Sequence, residues 1–249
     1  MDVVGVVLAA GWECGLSGRG SDALCALDGV PLVAHAVRTL RSSGVVDAMV
    51  VCAPAGMARQ VGAALAVHVP GRPVAVVDEC DHGVMAQLCA AARFVVVHDC
   101  WHPLAPPELV DRVLAAVDRG GADVAVPVVD VTETVKELDP DGWIVRTVPR
   151  ETLCQTQSPW AVRPRTRAGS GIEWLTDPGA PMSLVDGCRV VTVSGHPDAF
   201  ALRTPADLDL AAAVLRARRS GLGPGAADSV GSAVGFDGGS GPVRSLRRW

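Results

Sequence analysis

The stretch Val3-Val4-Gly5-Val6-Val7-Leu8-Ala9-Ala10-Gly11 decides the fold. Its first six residues carry no polar side chain and show no alternation. That is the pattern of a short strand buried on both faces. The two alanines and the glycine that follow lead the strand into a loop that can lie close to a ligand. This loop, about residues 9–24, carries Gly11, Gly15, Gly18 and Gly20. Its spacing fits neither the dinucleotide nor the Walker fingerprint, although its backbone N–H groups suit phosphates.

Strand and helix patterns alternate outward from this start. Pro31–Leu40 has helical spacing, with Leu32, Val33, Ala36, Val37 and Leu40 on one face. Ala48–Cys52, Val74–Val77, Phe94–Val97 and Val124–Val129 read as strands. Met57–Ala64, Val84–Ala92 and Pro106–Ala116 read as the helices between them. Repeated βα units predict a Rossmann-like α/β fold, a mainly parallel sheet with helices on both faces. Residues 130–162 break the rhythm. They carry β-branched residues and the turn Asp139-Pro140-Asp141-Gly142, which predicts a hairpin arm. Arg163–Gly171 is polar loop, and Arg189–Val193 returns to strand. Thr204-Pro205-Ala206-Asp207 opens a last helix with a hydroxyl cap, a proline and an acid. Residues 220–249 hold eight glycines and five serines, the composition of a disordered tail, and leave residues 1–219 as one domain.

Composition narrows the function. The chain has 249 residues, 49% of them hydrophobic, and a net charge of −5. The acidic balance argues against nucleic acid as a partner. No apolar run is long enough to span a membrane, and no basic segment precedes the first apolar run, so a cytoplasmic protein is expected. Eight cysteines without short CxxC pairs then read as reduced thiols. Lys136 is the only lysine among 22 basic residues, so chemistry that needs lysine has one candidate.

In an open α/β sheet, ligands sit beyond the carboxyl ends of the strands. The glycine loop and His98-Asp99 are therefore the places to look. An aspartate at such a strand end can hold a divalent metal beside phosphates, or cap a loop.

Four segments carry a resemblance. They are Val6–Gly11 followed by Leu27–Val37, then Val96–Val110 around HDCWHP, Val126–Pro159, and Phe200–Leu208. In this order they resemble the 2-C-methyl-D-erythritol 4-phosphate cytidylyltransferases of isoprenoid biosynthesis. The resemblance implies a nucleotidyltransferase-type fold and a homodimer embraced by the arm. It implies transfer of a cytidylyl group from CTP to methylerythritol phosphate, a small phosphorylated polyol, with Mg²⁺ and release of pyrophosphate. Ala9, Ala10 and Gly11 match the phosphate-cradling turn. Asp99 matches the nucleotide-side metal ligand. Thr134 and Arg150 match arm residues that contact the substrate phosphate, Glu133 stands for the acid before Thr134, and Ser158 replaces a threonine.

The family's cations are missing. Its loop arginine is Gly15 here, its loop lysine Asp22, its HDAARP arginine His102, and the lysine of its last motif Ala201. Arg19 lies inside the loop, and Arg203, two residues past Ala201, is expected to face away. Acids also enter the second glycine-rich segment, as Asp78, Glu79 and Asp81. A carboxylate beside a triphosphate repels it. Three readings stay open: a working cytidylyltransferase with a rearranged site, a dimeric binding or regulatory relative that is catalytically dead and needs no metal, and a transferase with another nucleotide or acceptor. Cys14, Cys80, His82, Cys100 and His102 fall on converging loops and raise a zinc site, against unrelated thiols. Trp12, Trp101 and Trp160 fill space near the pocket or pack elsewhere.

Overall fold

The fold is seen in a computed structural model that describes residues 2–10, 16, 22–78, 87, 91–164 and 188–221. Strand β1 (Val3–Leu8) lies at the middle of the sheet. Val3 and Val7 face one side and Val4 and Val6 the other, all within two apolar clusters. The unbroken apolar run is therefore buried on both faces, as its pattern predicts. Parallel neighbours flank it: β4 (Ala48–Ala53) pairs Val6 with Val50, and β6 (Phe94–Asp99) pairs Leu8 with Asp99.

The eight-stranded sheet runs β10 (Cys154–Thr156), β7 (Val124–Asp130), β11 (Trp160–Val162), β6, β1, β4 and β5 (Ala75–Asp78), with β12 (Val190–Ser194) parallel to β7. β5 (Ala75–Asp78) extends the parallel set beside β4. Helices α1 (Leu32–Ser42), α2 (Ala58–His68), α3 (Glu108–Asp118) and α4 (Pro205–Arg219) bury their apolar stripes against the face that holds Val3 and Val7. A side chain at Gly5 would press on Leu40 and Val46, so the glycine lets α1 approach β1. The helix expected over 84–92 lies almost wholly outside the described residues. Asp28 and Gly29, both at positive φ, form the turn between β2 (Ala26–Leu27) and β3 (Val30–Pro31).

The arm is shorter than its sequence pattern suggests. Its hairpin is β8 (Val135–Leu138) and β9 (Ile144–Val148), a two-stranded sheet of its own. Asp139 shapes the tip by accepting N–H bonds from Asp141 and Trp143. The rest of the segment read as arm returns to the main sheet. β10 (Cys154–Thr156) pairs with β7, and β11 (Trp160–Val162) is buried between β6 and β7. β-branched residues serve an exposed hairpin and a buried strand equally well, which is why the pattern did not separate them. α4 opens with the expected capping box between Thr204 and Asp207. The tail beyond residue 221 lies outside the described residues. Among the described residues, no helix is long and apolar enough to cross a membrane.

Candidate functional site

The site is built on the carboxyl end of β6. His98 and Asp99 are its last two residues, inside the strand rather than beyond it. The chain then makes a tight buried loop. Trp101 N–H donates to Asp99 Oδ1 at 2.9 Å, and His102 N–H donates to the Asp99 carbonyl at 3.1 Å. Cys100 N–H donates to Leu8 O at 3.0 Å, which ties the loop to the end of β1. Ser158 completes the frame, with its hydroxyl 2.8 Å from Asp99 N–H and 2.9 Å from His98 Nδ1. Asp99 N–H is the donor in the first contact.

Burial sets the charge of this cluster. The His98 side chain is fully buried, and desolvation pulls its pKa down to about 3. His102 falls to about 4, first from burial and then from the charge of Arg203. Asp99 keeps some contact with solvent, but close packing raises its carboxyl to about 7. The Trp101 N–H bond and the Arg203 charge oppose that rise. Both imidazoles are thus neutral at pH 7, and Asp99 sits near half protonation. Three buried ring nitrogens here have no hydrogen-bond partner: His98 Nε2, Trp101 Nε1 and His102 Nδ1.

The last wall is the connector from β12 to α4. Leu202 N–H donates to Trp101 O at 2.8 Å and so lays residues 199–203 along the loop after Asp99. Ala201 is half-buried, Leu202 buried and Arg203 exposed. The expectation that Arg203 faces away is overturned. Its charge lowers the proton affinity of both Asp99 and His102, so Arg203 lies within electrostatic reach of the loop after β6.

A family model described as 2-C-methyl-D-erythritol 4-phosphate cytidylyltransferase matches residues 3–217. The chain belongs to this family. A protein of that name from Frankia casuarinae is 38% identical over 219 residues, which cover 86% of this chain and 81% of the relative. One from Saccharopolyspora erythraea is 37% identical over 231 residues, 86% of this chain and all of the relative. Solved structures agree in fold. The Thermus thermophilus cytidylyltransferase has a TM-score of 0.58 at 24% identity and covers 85% of this chain and 98% of its own. A 4-diphosphocytidyl-2C-methyl-D-erythritol synthase from Anaerococcus prevotii has 0.64 at 16%, covering 86% and 98%.

Within this cytidylyltransferase frame, the predicted residues divide into three groups. Ala9 is buried at the end of β1, with its N–H on Cys52 O, and Ala10 follows half-buried. Asp22, 2% exposed, opens the short 3-10 turn Asp22–Leu24. Asp99, His102 and Ser158 meet at the β6 end, and Ala201 precedes Leu202, whose N–H bonds Trp101 O. Thr134 and Arg150 are exposed at the base of the arm, where Arg150 donates to Thr132 O at 2.7 Å. Gly11, Gly15, Arg19, Glu79, Asp81, Cys14, Cys80, His82 and Trp12 lie outside the described residues. Cys100 and His102 are both buried, and the described residues hold no group of three or more metal-ligating side chains. Trp101 and Trp160 are each 4% exposed, in separate apolar clusters. Among the described residues, Cys25, Cys154 and Cys188 are free thiols, and Cys52 and Cys100 are buried.

Mg²⁺ fits one feature of this site. Magnesium is usually held by one or two carboxylates plus substrate phosphates. Asp99 is such a lone carboxylate, and burial has raised its pKa to where a cation nearby would have most effect.

Proposed function

We propose that this chain is a non-transferring member of the cytidylyltransferase family: a homodimer that holds a small phosphorylated polyol without joining it to a nucleotide. One observation carries the reading. Asp22, at the family's loop-lysine position, is buried and fixed in a turn whose Asp22 carbonyl accepts the Cys25 N–H at 2.7 Å. It is not an idle surface acid that can swing into water.

The charge arithmetic supports the same reading. Phosphoryl transfer leaves the protein to position groups and stabilise charge. Losing one preorganised donor typically costs ~10²–10³ in rate. Here Gly15 removes one cation and Asp22 reverses another. His102 stands for a third cation but is neutral. A like charge ~4 Å from a phosphate costs ~4 kcal/mol at an effective dielectric of ~20. Asp99 would hold Mg²⁺ mainly through a ligand's phosphates, so losing the triphosphate loses the metal as well.

The arm supports the binding half of the proposal. Thr134 and Arg150 are kept, and Leu138, Trp143, Ile144 and Val145 stand 56–74% exposed around its tip. An isolated two-stranded hairpin is marginal in water, and such an apolar tip suits burial against a second copy. Titration calorimetry with CTP and Mg²⁺ tests the nucleotide side. No heat at millimolar CTP is expected. A Kd below ~100 μM, about −5.5 kcal/mol, would mean the nucleotide pocket survives.

A further inference from the structure

Away from the β6 site, an apolar groove of about 390 Å³ opens between α2 and β5, the last strand in the sheet order. Leu65 and Val69 line it as buried residues, Gly62, Val74 and Val76 as half-buried ones, and Ala66 stands exposed on its rim. Its size lies within the ~300–1,000 Å³ of ligand pockets. Among the described residues no carboxylate lines it, and Arg72 is its charged lining residue. Two more arginines hold the end of α2 beside it. Arg38 donates to His68 O at 2.7 Å, and Arg41 donates to Val69 O, Pro70 O and Arg72 O at 3.3, 2.9 and 2.7 Å. The Arg41 guanidinium is thereby fixed at the groove's end. Asp47, on which Arg72 acts, is already engaged, accepting the Asp2 and Val3 N–H groups. The groove is apolar with a basic end.

We propose that this groove is the dock for the chain's own stretch 222–243, with the Phe236 ring in the groove and the Asp237 carboxylate against its basic end. Charge selects the stretch. Residues 222–243 carry Asp228 and Asp237 and no lysine or arginine, and Phe236 is their one aromatic residue. The other aromatic past Gly221, Trp249, follows Arg247 and Arg248, which the arginines around the groove repel. Reach allows it. Arg219, at the end of α4, pairs with Asp28 in the turn that leads into α1. Arg41 binds the groove's end from the far end of α1, 11 residues or about 16 Å along the helix. Fifteen residues separate Gly221 from Phe236, and a glycine-rich chain of that length spans ~21 Å on average. The proposal does not depend on the reading of the nucleotide site.

The experiment replaces the three phenylalanines of the full chain with 4-fluorophenylalanine and records fluorine NMR. F236L identifies the Phe236 resonance, and the peptide 226–240 alone gives its free position. In the wild type the Phe236 resonance is expected away from the free position and unchanged on tenfold dilution. A66E, which sets a carboxylate on the groove rim, should return it to the free position and leave the Phe94 and Phe200 resonances in place. D237R should release it as well, and its site lies outside the described fold, so this arm stands even if A66E disturbs α2. The proposal is overturned if the wild-type Phe236 resonance matches the free peptide, or if D237R leaves it unmoved. It is overturned too if A66E leaves it unmoved, or if dilution moves it, which would make a second copy the occupant.

Discussion

Asp99 has its proton affinity set by the packing around it, and its pH behaviour follows. Its folded pKa of about 7 lies above the ordinary value, so the folded chain holds an extra proton between about pH 4 and 7. Stability from this group is full below about pH 4 and is lost as pH rises to 7. His98 and His102 act in the opposite sense. Their folded values, about 3 and about 4, lie below the ordinary 6.5, so their contribution is full above pH 6.5 and is lost on acidification. Below about pH 6.5 two imidazoles outweigh one carboxyl, so the combined contribution of these three groups peaks between about pH 6.5 and 7. D99N should remove the decline toward pH 7 and melt higher than the wild type at pH 8. Thermal melts from pH 4 to 8 check this, and equal melting of the two proteins at pH 8 would refute it. Ser158 gives a second residue-scale prediction. S158A leaves the Asp99 N–H and His98 Nδ1 buried without their partner. A cost of about 1–3 kcal/mol is expected, with S158T, which keeps the hydroxyl, close to wild type. Denaturant midpoints measure both.

At the scale of elements, two devices hold the connector and the last helix. Removing the capping box by T204A should cost about 1 kcal/mol, read as a lowered denaturant midpoint. The buried Gln157 amide, which donates Nε2–H to His196 O and accepts the His196 N–H at Oε1, each at 2.9 Å, leaves less tolerance. G195A forces a Cβ into the Gln157 amide and should destabilise by more than T204A does, and Q157A should relieve part of that in the double variant. The sequence was most legible where an element obeys one rule. β1 was evident because Val3–Leu8 has no polar residue, and α4 because Thr204, Pro205 and Asp207 spell a helix start. Legibility failed where two structures share a pattern. Trp160–Val162 carries the same β-rich signature as the arm, and only its long-range pairing with Val95–Val97 shows that it is core. Arg203 acts on Asp99 and His102 through its charge, across a chain separation that no local pattern announces. The partners of Ser158 and Gln157 lie 39 to 60 residues away in the chain, and no local signal announces them.

For the whole molecule, the proposed function separates the scaffold from the chemistry. The fold follows the family's solved structures, because apolar packing and backbone hydrogen bonding are indifferent to which side chains line a loop. On the proposed reading the loop cations do not follow it. One consequence is a change in oligomeric state when the arm tip is made polar. W143S with V145S should leave the melting of the monomer nearly unchanged, because both side chains are exposed, and should shift sedimentation from dimer to monomer. A dimer that survives would place the interface elsewhere. The central claim is that the family fold is retained while transfer is lost. Pyrophosphate release from CTP, methylerythritol 4-phosphate and Mg²⁺ measures it directly, with the Frankia casuarinae relative beside it under the same conditions. A rate at least ~10⁴ below that relative is expected from one lost and one reversed cation. Release within tenfold of the relative would contradict it and mean that the site has found its positive charge by another route.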